Sequence, residues 1–487
     1  MKRATPVLVL LAACGAAPAP AIDPPRAAAP TTTERGAGFR FEVTVGEGAR
    51  ELQVEAQIPP ECRDELRLDQ GTEPFLRAVE VDAGAGFVPL APVRSADGEG
   101  GAYCFRLPPC PPAGCRLRYR FALAEAAAAR GTLVSAARHQ GTLVSPPSAW
   151  LLHPVDPPDG QRFDLRVHTP PDLVFTTGLF RAPGDDVHRY AADLSDLSRA
   201  PYSAFGALRV LVVNVVGQRI ELAFPPGAFT LSDEALLGWV EGNARIIADH
   251  YGRAPLPRTM ILLLPEEGRG VRFGQVLGNG GASIVVRLGR STRAEDLDPS
   301  WELLHEMLHT AFPSMPTAQA WLQEGMATYL EPLLRARRGL ITAEEAFHRL
   351  SRRMEHGLPA PGDRGLDHTP TWGRTYWGGA LFCLLADLEI RKRSEGRRSL
   401  DDGLRAIVEQ GGNVADRWSI ERVIAVADAG TGHPVLAELH AKMGSAPVTV
   451  DLPGLWKSLG VIPGEEGARF EESAAFAEIR RAMVRGR

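Results

Sequence analysis

Between residues 300 and 326 the chain has to take charge into its interior. The stretch WELLHEMLHTAFPSMPTAQAWLQEG (301–325) sets two histidines and three glutamates among residues of core type. Asp298-Pro299-Ser300 opens a helix, with a cap residue and a first-turn proline, and Pro313 ends it. On that helix His305 and His309 stand one turn apart on one face, where both imidazoles can bind one Zn²⁺. Leu303, Leu304 and Leu308 pack the helix and dry its surroundings. Whatever fold the chain adopts must bury this helix and give its imidazoles a partner, because a buried polar group without one is costly.

Two glutamates qualify as that chemistry. Glu306 directly follows the first imidazole and can face an open coordination position, where a general base would take a proton. Glu324, in the next helical run (Trp321-Leu322-Gln323-Glu324-Gly325), is separated from His309 by fourteen residues. A helical hairpin through AFPSMPTAQA can return it to the metal as a third ligand. Two histidines and one glutamate leave a position open, as catalytic zinc requires, whereas a structural zinc takes four protein ligands. The plainer alternative for Glu324 is an acidic residue in a first helical turn, favoured there by the helix dipole.

HExxH followed by W-L-x-E-G-x-A-x-Y (Trp321, Leu322, Glu324, Gly325, Ala327, Tyr329) resembles the gluzincin metallopeptidases, and within them the membrane-alanyl and glycyl aminopeptidase families. Similarity extends through Tyr376-Trp377-Gly378-Gly379-Ala380 to DLEIRKRSEGRRSLDD, and overall from about 150 to 410. The resemblance implies zinc held by His305, His309 and Glu324, with Glu306 as general base. Tyr376, three residues before Gly379, then donates its phenol O–H to the tetrahedral oxyanion; its alternative is an amphipathic packing residue. Those families also carry, just before the zinc helix, a Gly-rich strand whose glutamate grips the substrate's free amine. The corresponding stretch here is Gly278-Asn279-Gly280-Gly281-Ala282-Ser283, which lacks a carboxylate. Gly280, Gly281 and Ala282 are therefore expected to bind a peptide backbone along a strand edge, and strict aminopeptidase selection gives way to an endopeptidase or an undefined specificity. Asn279 and Ser283 read equally as polar contacts or as a turn.

The rest of the chain places this site in an architecture. At 487 residues, 44% hydrophobic and 23% charged, it is globular and holds several domains. A net charge of −5 and no basic block leave no footprint for nucleic acid. The start, MKRATPVLVLLAACG, has Lys2 and Arg3, a short apolar run and small residues before Cys14, which reads as a secretory signal too short to span a bilayer. Leu11-Ala12-Ala13-Cys14 resembles a bacterial lipobox, which implies lipidation of Cys14. Gly15 after it implies an outer-membrane lipoprotein of the bacterial cell envelope, facing periplasm or exterior. Residues 15–36 (Ala, Pro, Thr) form a tether. Alternating runs such as FRFEVTV and RLRYRFAL predict a β-sandwich-like domain over 37–148. AEAAAARG at 124–131 is helix-permissive yet lies between strand-like runs, so pattern alone assigns it to neither class.

ALRVLVVNVV, TMILLLP and GASIVVRLG are buried-strand runs, and DEALLGWVEGNARIIADHYG is a helix closed by Gly252. With the helical runs that follow, they predict a thermolysin-like α+β catalytic domain over 149–400 and a helical region over 401–487. The whole is an α+β multidomain protein. Exported cysteines can pair, so Cys62, Cys104, Cys110 and Cys115 allow two disulfides in three arrangements. YCFRLPPCPPAGCRLRYRF reads as two strands around a turn with Cys104 opposite Cys115, and a zinc knuckle there would lack its paired C-x-x-C units. Cys383 reads as a buried hydrophobe. The sequence thus predicts a zinc peptidase acting on a peptide or protein and tethered to a membrane by an N-terminal lipid. A catalytically silent lipoprotein that binds a partner is the rival from another class, and a zinc hydrolase of a non-peptide substrate is a third reading.

Overall fold

The structure, a computed structural model, describes residues 38–486 apart from 63–64, 70, 95–102, 159, 185 and 187. The signal (1–14), its Cys14 and the tether (15–36) lie outside the described residues.

Strict alternation builds the first layer. In β1 (Phe39–Val45) every second side chain is buried, and in β5 (Cys115–Phe121) the same pattern repeats. With β2 (Leu52–Ile58), β3 (Leu76–Asp82), β4 (Val88–Pro89), β6 (Arg162–His168) and β7 (Arg189–Asp193) they form a seven-stranded sheet in the order β7-β6-β1-β2-β5-β3-β4. β1 lies antiparallel to β2 (Val43 opposite Val54) and parallel to β6 (Phe41 opposite Leu165). That last pairing carries the sheet-rich region past the expected boundary at 148. A second, four-stranded sheet ends with Ser203–Gly206. The reason is physical: RFDLRVH alternates as β1 does, and joining the first sheet covers its inward residues Phe163, Leu165 and Val167. The pairing joins residues far apart in the chain, so local pattern does not reveal it.

Two local readings change. AEAAAAR of that stretch falls within α1 (Leu123–Arg130), and its Gly131 stops the helix in the left-handed region at φ 63. The disulfide described joins Cys110 to Cys115. Cys104 does not face Cys115, because its strand (Tyr103–Arg106) pairs with Glu65–Arg67 and Val93–Arg94 in a separate sheet, where the Cys104 thiol donates to Glu65 at 3.0 Å.

The second layer is a five-stranded mixed sheet of β8 (Arg209–Val215), β9 (Gln218–Phe224), β10 (Arg258–Glu266), β11 (Val271–Leu277) and β12 (Ser283–Gly289), in the order β8-β9-β10-β12-β11. β10 runs parallel to both neighbours and is buried from Arg258 to Pro265, which is why it reads as a continuous apolar run. One sheet face (Ile261, Leu263, Ile284, Val286) packs on helices. The other (Met260, Leu262, Leu264, Val285) packs on Tyr202 and Ala204 of the sheet-rich region. α2 (Asp233–Tyr251) covers the helical face, with Ser232 accepting from the Ala235 N–H at its start and Gly252 at its end. α3 (Glu302–Thr310), α4 (Ala320–Arg337), α5 (Ala343–Arg353), α6 (Gly379–Arg393) and α7 (Leu400–Glu409) follow, and helices continue to Arg485. α3 starts later than its sequence suggests. Trp301 occupies the cap position, while the Ser300 hydroxyl is turned back onto the Leu297 carbonyl. Among the described residues no helix is long and apolar enough to cross a membrane.

Candidate metal and active site

α3 carries its polar residues into the core. Leu303, Leu304 and Leu308 are buried to 1% exposure or less, and His305, Glu306 and His309 are buried beside them. α4 packs on α3 and brings Glu324 over both imidazoles. Its Oε2 lies 3.3 Å from His305 Nε2 and 3.4 Å from His309 Nε2. The three donor atoms fall within 4.8 Å of one another, and they are the one such trio of possible metal ligands among the described residues. Burial would push the Glu324 carboxyl up, but His309 and His305 outweigh it and hold it well below the usual carboxylate range. His153, His250, His348, His356, His368, His433 and His440 enter no such trio. Glu302 stays at the helix start, accepting from the Trp301 N–H.

Glu306 belongs to the same helix but faces β11. Burial raises its carboxyl, and it accepts a hydrogen bond from the Val276 N–H. Gly274 makes the approach possible, since a Cβ there would meet Glu306 Cγ at 2.6 Å. Among the described residues β11 is the edge of its sheet, paired with β12 alone, so one row of its backbone groups faces a cleft of about 520 Å³. Phe273 to Asn279 line that cleft with Glu306, Glu324 and Tyr376.

Gly280, Gly281 and Ala282 lie elsewhere. They form the turn between β11 and β12 and bind the sheet-rich region: Phe180 N–H donates to the Gly280 carbonyl, and Ala282 N–H to that of Gly178. A Cβ on Gly281 would stand 2.1 Å from the Gly178 oxygen. These glycines serve close packing of two backbones, and the cleft-lining strand is the preceding one. Asn279, in the left-handed region at φ 65, reaches the cleft wall, whereas the Ser283 hydroxyl accepts from the Tyr202 N–H inside the protein. Gly274 beside a buried glutamate was the signal available in sequence, but only the register of β11 against α3 makes it readable.

Tyr376 sits on a π-helical turn (Gly373–Gly378) that runs into α6, with its ring 6.5 Å from that of His305. Such wide turns recur at functional positions because they swing one side chain out of helical register. Burial, with the nearby charges of Glu324 and Glu306, pushes its phenol up to about 12, so it keeps its proton at neutral pH. Arg374, which sequence reasoning did not single out, anchors the turn: buried, it ion-pairs with Asp363 at 2.8 Å and donates to the Gly357 carbonyl. Gly325 and Gly379 bring the two motifs together. A Cβ on Gly325 would lie 2.2 Å from the Gly379 carbonyl carbon, and one on Gly379 would lie 2.0 Å from the Trp321 oxygen.

No protein-family model and no curated protein matches the sequence. Solved structures match the fold. An aminopeptidase N family protein from Idiomarina loihiensis superposes at a TM-score of 0.65 with 16% identity, over 87% of this chain and 78% of that one. An M1 zinc metallopeptidase from Deinococcus radiodurans superposes at 0.53 with 17% identity, over 85% of this chain and 94% of that one. A point mutant of the Deinococcus enzyme bound to the substrate Tyr-Ser-Ala gives 0.54 with 18% identity, over 85% and 95%. At these identities the likeness establishes the architecture: a sheet-rich N-terminal region, a mixed-sheet α+β middle and a helical C-terminal part, as in the M1 metallopeptidases.

Proposed function

We propose that the chain is a zinc metallopeptidase of the gluzincin kind, with a thermolysin-like catalytic region, anchored to the bacterial cell envelope through Cys14. The observation that carries the reading is the meeting of two imidazole nitrogens and one carboxylate oxygen from two helices. That donor set fits zinc: nitrogen and oxygen ligands of the right softness, three in number, with a position left open. The M1 zinc metallopeptidases that share the fold support the same choice of metal. When bound, zinc would supply Lewis acidity, polarising a scissile carbonyl and acidifying water.

The chain's own groups supply the rest. Glu306, held in a dry setting with its carboxyl raised, takes a proton from the attacking water and passes it to the leaving amine. Tyr376 keeps its proton and donates to the oxygen that gains negative charge. Apart from the Val276 N–H held by Glu306, β11 offers edge groups without a strand partner, to which an extended peptide adds as a further strand. Among the described residues that line the cleft, Glu306 and Glu324 are the only carboxylates, and Arg199 is present. A free α-ammonium therefore finds no anchoring acid, which supports cleavage of internal bonds. A silent binding protein would have no use for Glu306 and Tyr376 set beside the three donors.

Metal analysis combined with a peptide-library digest tests the reading. Glu306→Gln should retain one zinc per chain and lose cleavage; wild-type protein that takes up no zinc would refute it. Anchoring is tested by radiolabelled palmitate in cells. Label should appear on the wild type and vanish with Cys14→Ser, and equal labelling of both would remove the anchor from the proposal.

A further inference from the structure

A second cavity opens beside the imidazole pair. It measures about 1180 Å³ against about 520 Å³ for the cleft along β11, and the two share His305 and Tyr376 as common wall. A chain crossing the metal position from one would enter the other. The rim holds two tryptophans in water: Trp301 is 44% exposed and Trp372 is 56% exposed. The Trp301 ring meets His305 edge-on at 5.5 Å, and the Trp372 ring lies 6.4 Å from that of Tyr376. Large aromatics left about half in solvent at the mouth of a reactive site keep stacking surface free for a ligand.

The wall from α5 is cationic. Arg349 is committed to Glu345 at 2.7 Å, and the buried acid of the cavity, Glu331 of α4, to Arg335 at 3.3 Å. Arg352 and Arg353 are exposed and have no ion-pair partner among the described residues, and Glu355, in the turn after α5, is the one uncommitted acid among the described residues lining the cavity. An arginine fork with no internal partner is a ready receptor for a carboxylate, which it can bind through two parallel hydrogen bonds.

We propose that this cavity receives one flank of the substrate peptide, and that Arg352 and Arg353 select a carboxylate there. The carboxylate is an Asp or Glu side chain or the C-terminus of a short peptide. This deepens the peptidase reading and rests on it. The specificity is accordingly one-sided: neutral along β11, anionic beyond the metal.

The test uses zinc-loaded full-length protein and N-acetylated, C-amidated fluorogenic peptides. Glu, Gln or Lys is scanned through the positions on both sides of one cleavage point. A second set carries Gln throughout and ends in a free carboxylate, which separates the two sources of charge. kcat/KM for Glu over Gln should be about tenfold on a single side of the cut, because two solvent-facing ion pairs each contribute a few-fold. Arg352→Gln with Arg353→Gln should bring the ratio to about one, and the Glu pair of substitutions should turn the preference toward Lys. A preference confined to the second set assigns the carboxylate to the C-terminus. Equal rates for Glu, Gln and free-acid peptides, or a preference that survives the substitutions, would overturn the proposal while leaving the peptidase standing. Cleavage of no peptide at all would remove both.

Discussion

Replacing Gly325 by alanine probes whether the crossing of α4 and α6 builds the site. In an exposed helix the change is favourable by about 1 kcal/mol, because alanine loses less backbone freedom than glycine. At Gly325 the new methyl would stand 2.2 Å from the Gly379 carbonyl carbon and 2.6 Å from the Ala380 nitrogen, both backbone atoms that cannot swing aside. Carbon contacts settle at about 3.5–4.0 Å. The helices therefore have to part by more than about 1 Å, which loosens the packing of buried Trp321, Leu322, Ala380 and Phe382. Overpacking of this kind costs about 1–3 kcal/mol, occasionally more, so after the about 1 kcal/mol helix gain the net expectation is a loss of up to about 2 kcal/mol. Glu324 adjoins the clash and Tyr376 lies one helical turn before Gly379, so the same movement separates ligand from phenol. Gly238→Ala and Gly242→Ala on α2 are the controls. Nothing lies within 4 Å of either added methyl, and each should stabilise by about 0.5–1 kcal/mol. Urea unfolding of chelator-treated protein reads the stability, and metal titration reads the site. Opposite signs are expected, with weaker zinc binding in Gly325→Ala alone. A Gly325→Ala protein that gains stability as the controls do and holds zinc normally would refute the reasoning.

Removing the Tyr376 hydroxyl with Tyr376→Phe should lower kcat about 10²–10³-fold with zinc content unchanged, the range for losing one oxyanion donor; steady-state kinetics on a cleaved peptide decides it. His250 supplies a pH test away from the metal. Burial lowers it to about 4; Asp401 pulls it up, and Arg337 and Arg405 push it down. Folded His250 stays neutral while the unfolded histidine charges near 6.5, so this group's share of stability is present at pH 7 and lost as pH falls from about 6.5 to 4. Between pH 7.5 and 5 that loss is about 2 kcal/mol, and in His250→Leu the acid sensitivity of urea unfolding should shrink by that amount. Parallel pH profiles for the two proteins would contradict it.

Much of the site could be read along the chain because its parts are locally periodic. His305, Glu306 and His309 share one amphipathic helix, and a 3.6-residue repeat alone puts both imidazoles on one face. Glu324 was legible as a candidate and Tyr376 only through a resemblance. Three features escaped local reading for one reason: they depend on which backbones come close after distant segments pair. β6 joins β1 across more than a hundred residues, which moves the sheet-rich region's end from 148 to the strand ending at Gly206. Cys104 enters a different sheet from Cys115, while Gly280 meets Ala192 and Asp196 and Gly281 meets Gly178 and Leu179 instead of a substrate. What the amino-acid order settled by itself is the chemistry available and the faces on which helices and strands present it, since those follow from spacing. What tertiary structure alone decided is which groups meet: Glu324 over the imidazoles, Gly274 beside Glu306, and Arg352 and Arg353 across a cavity from the metal position. Contacts between separate elements, whether fifteen or more than a hundred residues apart, leave no periodic trace in the chain.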